Sequence, residues 1–231
     1  MRSSSVGSPA LPNRWLIAVA AFFMQLALGA VYAWSVYLTT VVKVYNVPKV
    51  QANLTFSIML LALGITAGFG GSLNLRYGPR ITATTGGILY GLGVLLAGLT
   101  VGTHSIILLY LTYGVIGGIG VGLAYIVPIA MLVKWFPDRR GFITGLAVAG
   151  FGAGAALTAP LSASVFLPSF GLSQTFIYLG IIYLLIVALT AQVFRPAPEG
   201  YAPTGWTPSA QQARAIAARN YTFREALSLP R

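Results

Sequence analysis

Residues 114–154 read GVIGGIGVGLAYIVPIAMLVKWFPDRRGFITGLAVAGFGAG, and this stretch decides the fold. Two long apolar runs flank a tight basic connection, Lys134-Trp135-Phe136-Pro137-Asp138-Arg139-Arg140. An apolar helix of ~20 residues, rising ~1.5 Å per residue, crosses a hydrocarbon core of roughly 30 Å. Pro137 stops the incoming helix, and Asp138 stands where an N-cap for the outgoing one is expected. Lys134, Arg139 and Arg140, packed into so short a connection, mark the side that stays in the cytoplasm. Glycine recurs at four-residue spacing on both flanks, at Gly114, Gly118 and Gly122, then Gly141 and Gly145, then Gly150 and Gly154. Apolar side chains gain little by leaving lipid, so small residues that let helix backbones approach closely supply the packing. The stretch reads as an inner hairpin of a multi-pass membrane protein.

Working outward, the composition agrees. The chain of 231 residues is 57% hydrophobic and only 7% charged, whereas soluble domains average about 25% charged. There is no cysteine, and the single histidine, His104, falls in an expected loop, so no metal centre and no thiol chemistry is expected. No cofactor is implied either. The net charge of +11 does not point to nucleic acid, because the cations sit in gaps between apolar runs rather than on one soluble face.

Six runs are expected, at about 15–42, 51–75, 81–101, 105–133, 141–167 and 175–194. The first is too long for the 7–15-residue core of a cleaved signal peptide. Residues 1–14 form a polar tail, and 195–231 a Pro-rich, then weakly amphipathic one. Arg76-Tyr77-Gly78-Pro79-Arg80 makes a second basic turn. Pro128 and Pro160 should bend runs four and five, where neighbouring helices can satisfy the freed carbonyls. Twelve of the 14 lysines and arginines lie in the two tails, the 76–80 turn and the 134–140 hinge, leaving Lys43 and Lys49 for the other face. This bias places both termini in the cytoplasm. Gly29-x-x-Tyr32 in run one recurs as Gly122-x-x-Tyr125 in run four, the equivalent positions of a three-plus-three inverted repeat whose first and fourth helices face a central cavity.

Candidate functional residues follow from depth and chemistry. Tyr32 and Tyr125 lie some 14–16 Å by helical rise from Lys43 and Lys134, deeper than an interfacial belt. With Trp34 they are candidates for an aromatic cavity wall; packing between helices is the bland alternative. Gln25 and Asn53 are uncharged polar groups in or near the membrane and face either substrate or another helix. Asp138 is expected to pair with Arg76 or Arg80 across the cytoplasmic face, or simply to cap the fifth helix beside Arg139 and Arg140. The Gly118-x-Gly120-x-Gly122 and Gly150-x-Gly152-x-Gly154 runs follow no strand and lie inside apolar helices, which argues against a nucleotide loop. No Asp, Glu, Lys or Arg lies inside the runs, so a proton relay has no candidate here.

Four stretches carry a family resemblance. Residues 71–80 (GSLNLRYGPR) resemble the loop signature of the major facilitator superfamily, G-x-x-x-D-R/K-x-G-x-R. Residues 29–35 (GAVYAWS), the 134–141 hinge with Ala149-Gly150-Phe151-Gly152, and residues 196–206 (PAPEGYAPTGW) resemble its oxalate/formate antiporter branch. The resemblance covers residues 13 to about 230. It implies an all-α membrane bundle, the N-terminal six-helix half of a twelve-helix transporter, with 221–231 leading toward an absent seventh helix. It implies alternating-access transport of small organic anions such as mono- or dicarboxylates. The cavity would be lined by Tyr32, Trp34, Gln25, Asn53, Tyr125 and Phe151. Arg76, Gly78, Arg80, Asp138, Arg139 and Arg140 would form the cytoplasmic gate. The substrate-holding cations of the oxalate carriers lie in the half not present here. The expected partners are therefore the anion, the bilayer and a second six-helix half, or a second copy of this chain. A membrane protein with a regulatory or assembly role is the remaining alternative. Three positions depart from the pattern: Leu75 replaces the signature's Asp, Val31 replaces a glutamine, and Phe151 replaces a tyrosine. These set the chain apart from the oxalate carriers without removing the expectation of carboxylate transport.

Overall fold

The computed structural model describes residues 12–198, 200–203 and 205–207. Most of the 195–231 tail, including 221–231, lies outside the described residues, as does nearly all of the N-terminal tail. Among the described residues the chain is helical, without strands, in four stretches long and apolar enough to cross a membrane. The first, Arg14–Tyr45, comprises α1 (Arg14–Gly29), a 3₁₀ turn (Ala30–Ala33) and α2 (Trp34–Tyr45). The second, Lys49–Thr103, is mostly α3 (Lys49–Thr100). The third, Ile106–Trp135, joins α4 (Ile106–Leu109) to α5 (Gly118–Trp135) through a π-helical segment, Tyr110–Gly117. The fourth, Arg140–Val193, joins α6 (Arg140–Leu161) to α7 (Leu167–Val193) through another, Ser162–Phe166.

Two of these stretches are too long to be straight crossings. At 55 and 54 residues each would extend about 80 Å. Both instead fold back at one glycine. Gly118 packs on Met59 and Gly120 on Tyr90, yet a straight α3 would hold Met59 and Tyr90 about 46 Å apart. The reversal falls at Gly78, where φ is 83° and ψ 166°, a region that side-chain-bearing residues essentially avoid. Pro79 follows in the first turn of the returning helix, where a missing N–H costs nothing. In α7 the reversal is at Gly171 (φ 68°, ψ −179°). Tyr37 meets both of its sides, bonding Ser162 Oγ at 2.6 Å and setting its ring 5.1 Å from Phe176. The sequence reading expected a loop between 167 and 175; one glycine reverses the chain with helix on either side, so no loop residues are needed.

Backbone contacts set the layout. Gly150 meets Phe22, and Gly154 meets Leu26 and Ala30, so α6 runs parallel to α1. Gly118 meets Met59 and Gly122 meets Leu63, so α5 runs parallel to the first limb of α3. It is antiparallel to the second limb, where Ala124 meets Gly86 and Gly120 meets Tyr90. The second limb also packs antiparallel to α7, Gly91 on Leu184 and Gly98 on Ser173, with Tyr90 stacked on Tyr183 at 5.1 Å. One end of the bundle gathers Arg14, Gly78, Lys134, Asp138 and Arg195. The opposite end is tied by His104 Nδ1 to the Val44 carbonyl at 2.8 Å, and by Tyr110 donating to the Gln51 carbonyl at 2.7 Å.

Candidate functional site

Halfway along the first stretch the helix tightens into the 3₁₀ turn at Ala30–Ala33 and carries Tyr32 outward. Tyr32 is 46% exposed although its neighbours Val31 and Ala33 are buried. Its ring stands edge-on to Phe151 at 5.5 Å and to Phe56 at 6.0 Å. Tyr125, half-buried on α5, also packs against Phe151, at 4.7 Å. Phe151 thus joins the two tyrosines in one uncharged aromatic patch, open beside Tyr32. Phe56 was missed in the sequence; it lies three residues beyond Asn53, on the same helical face, and that spacing was the available signal.

The patch is held by close backbone approach. At Gly29, three residues before Tyr32, an added Cβ would overlap the Phe151 carbonyl oxygen. At Gly122, three residues before Tyr125, it would lie 2.5 Å from the Leu63 carbonyl oxygen. The two Gly-x-x-Tyr segments therefore dock on α6 and on the first limb of α3 in corresponding ways.

Two of the other expected cavity residues are buried in the bundle, and the third is on the helix that carries Phe56. Asn53 is exposed on α3. Gln25 is fully buried, and neither of its amide atoms has a partner among the described residues. Trp34 is 2% exposed and packs on Tyr113 at 5.0 Å, inside the bundle rather than on the open patch. The 3₁₀ turn ahead of Trp34 changes the helical phase, so uniform spacing from Tyr32 does not give its direction.

At the basic end the structure corrects the expectation for Asp138. Its carboxylate accepts from Arg14 at 2.8 and 3.2 Å, not from Arg76 or Arg80. Nor does it cap the next helix: the N-cap of α6 is Arg139, without a side-chain capping bond. The reason is the parallel packing of α1 and α6, which brings their first residues side by side. Arg14 lies over the Phe136 ring at 4.7 Å, and Trp15 meets Phe136 edge-on at 5.1 Å. Arg139 stands farther from the carboxylate, at 3.8 Å. Arg80 instead donates to Gln192 at 2.7 Å, and Arg76 lies over Tyr77. Leu75, where the signature has Asp, is 79% exposed. Arg140 lines a cavity of about 420 Å³ with Lys134, Tyr201 and Trp206.

The paired geometry and limited exposure of Arg14 and Asp138 (21% and 17%) make a measurable coupling expected. A double-mutant cycle of Arg14→Gln and Asp138→Asn should give about 1–2 kcal/mol in detergent unfolding. The same cycle with Arg76→Gln should give about zero. Equal coupling to Arg76 would contradict the geometry.

Long apolar helices, packed backbone to backbone through glycine beside an uncharged aromatic patch, define a polytopic membrane bundle. More particularly, the family model of the Major Facilitator Superfamily matches residues 9–229, and the chain belongs to that superfamily. It is 30% identical to an uncharacterised MFS-type transporter of Escherichia coli, YhjX, over 94% of this chain and 51% of that protein. It is 31% identical to the oxalate:formate antiporter of Oxalobacter formigenes, over 82% and 45%. Human monocarboxylate transporter 1 is 30% identical over 72% and 33%. The chain thus spans about half the length, or less, of these curated relatives.

Proposed function

We propose that the chain forms one six-crossing half of a secondary transporter for small organic anions, working by alternating access with a second six-helix body. The observation that carries this reading is the Tyr32–Phe151–Tyr125 patch, apolar and uncharged, on helices docked through matching glycine contacts. Phenol hydroxyls donate to a carboxylate, and the rings keep water from it. They bring no positive charge, and desolvating an anion without a cation costs several kcal/mol or more. The second body supplies that cation. Relatives described as an oxalate:formate antiporter and as monocarboxylate transporters support the substrate class. In this reading α3 and the Arg140–Val193 stretch each cross twice, the two Gly-x-x-Tyr helices are equivalent members of a three-plus-three inverted repeat, and the basic end is cytoplasmic.

Two measurements test this. The chain has no cysteine, so single cysteines at His104 and Ser169 should react with an impermeant thiol reagent from outside, and one at Gly78 should not. The reverse pattern sinks the orientation. In liposomes the 231-residue chain alone should show no carboxylate exchange above background, and joining it to a second half bearing Arg or Lys should restore uptake. Robust exchange by the chain alone would overturn the requirement for a distinct second half and favour a dimer of this chain.

A further inference from the structure

An apolar groove of about 350 Å³ runs between α1 and α6, lined by Trp15, Val19, Phe23, Phe142 and Leu146. It continues along the same flank as a smaller space of about 160 Å³ bounded by Leu26, Leu157, Leu161 and Ile182. Trp15, Val19 and Phe23 are exposed at four-residue spacing, forming one face of α1. None of Tyr32, Phe56, Tyr125 and Phe151 lines this groove. The groove is therefore separate from the aromatic patch.

The head of the groove is basic. Arg139 lies 5.9 Å from the Trp15 ring and three residues before Phe142. The acid in this cluster, Asp138, is occupied by two bonds from Arg14, and reaches Arg139 only at 3.8 Å. Two guanidinium groups share one carboxylate, and the Arg139 side chain is 59% exposed. A cation at the end of a dry groove, beside an indole, matches one kind of occupant. The groove takes an acyl chain, Trp15 sits at the headgroup level, and Arg139 faces a phosphate.

From this charge complementarity we infer that the α1–α6 groove is a binding site for an anionic phospholipid, with the headgroup phosphate on Arg139 and one acyl chain along Val19 and Phe23. The inference rests on the membrane-crossing reading above, but not on transport.

The test uses the 231-residue chain in phosphatidylcholine vesicles doped, at equal mole fraction, with acyl-brominated phosphatidylglycerol or acyl-brominated phosphatidylcholine. Bromine quenches tryptophan on contact, and the Trp15→Phe variant subtracts the signal of the other three tryptophans. Brominated phosphatidylglycerol should associate with Trp15 about fivefold more strongly, the effect of one cation at an anionic surface. Arg139→Gln should abolish the preference and Arg139→Lys should keep it. Arg80→Gln, the same charge change elsewhere at the basic end, should leave it intact. Equal quenching by both lipids overturns the inference, as does an equal loss with Arg80→Gln. No Trp15 quenching by either lipid, with the cysteine labelling pattern intact, means that protein covers the groove and also overturns it. No quenching together with failed labelling overturns the membrane reading itself.

Discussion

Gly29→Ala is expected to destabilise the folded chain by about 3 kcal/mol or more, the upper range for overpacking a tight core. An added methyl at position 29 would run into the Phe151 carbonyl, which is backbone and cannot rotate aside. α1 and α6 would have to separate, breaking the contacts of Gly150 with Phe22 and Gly154 with Leu26 along the same seam. The control is Gly64→Ala, where nothing lies within 4 Å of the added carbon. There the change should be neutral or stabilising by up to about 1 kcal/mol, because no packing is disturbed and alanine favours the helix. Unfolding followed by tryptophan fluorescence in mixed detergent reads both. Equal effects at the two positions would show that the α1–α6 approach is looser than described.

The second large effect is expected at the chain reversals. Gly78→Ala and Gly171→Ala each place a side chain in a backbone region that is essentially glycine's alone, at about 1–3 kcal/mol apiece. Gly78 and Gly171 have nothing within 4 Å of an added Cβ, so any loss is conformational rather than steric. Independent sites add to within about 0.5 kcal/mol, and the double variant should lose about 2–6 kcal/mol. Gly141→Ala, an open glycine with ordinary helical dihedrals, should by contrast lose nothing measurable. Indifference of the double variant would mean that the reversals are made by neighbouring residues.

Much of the fold is legible in the sequence because its causes are local. Apolar run length, Gly78-Pro79 and Pro137 give the helical class and the breaks at 76–80 and 134–140 without knowledge of packing. The reversal at Gly171 is harder to read, because no charge or proline stands at the turning residue. Tyr32 and Tyr125 emerge from motif spacing and Phe151 from the family resemblance, and the structure brings their rings together. The partner of Asp138 was not legible: Arg14 is 124 residues away. Its proximity depends on α6 lying parallel to α1, which no local pattern states. Gln25 and Trp34 have the residue types of a cavity wall, but their direction depends on a helical phase that the 3₁₀ turn alters.

The exit from α7 carries a mechanical consequence. Phe194 is buried, Trp135 Nε1 donates to the Arg195 carbonyl at 2.8 Å, and Tyr201 sets its ring 4.9 Å from Trp135. Arg195 and Tyr201 therefore both rest on Trp135, the last residue of α5. Tyr125 stands ten residues up the same helix, about 15 Å along its axis. Where the chain leaves α7 it is thus anchored to the helix that carries Tyr125, one wall of the aromatic patch.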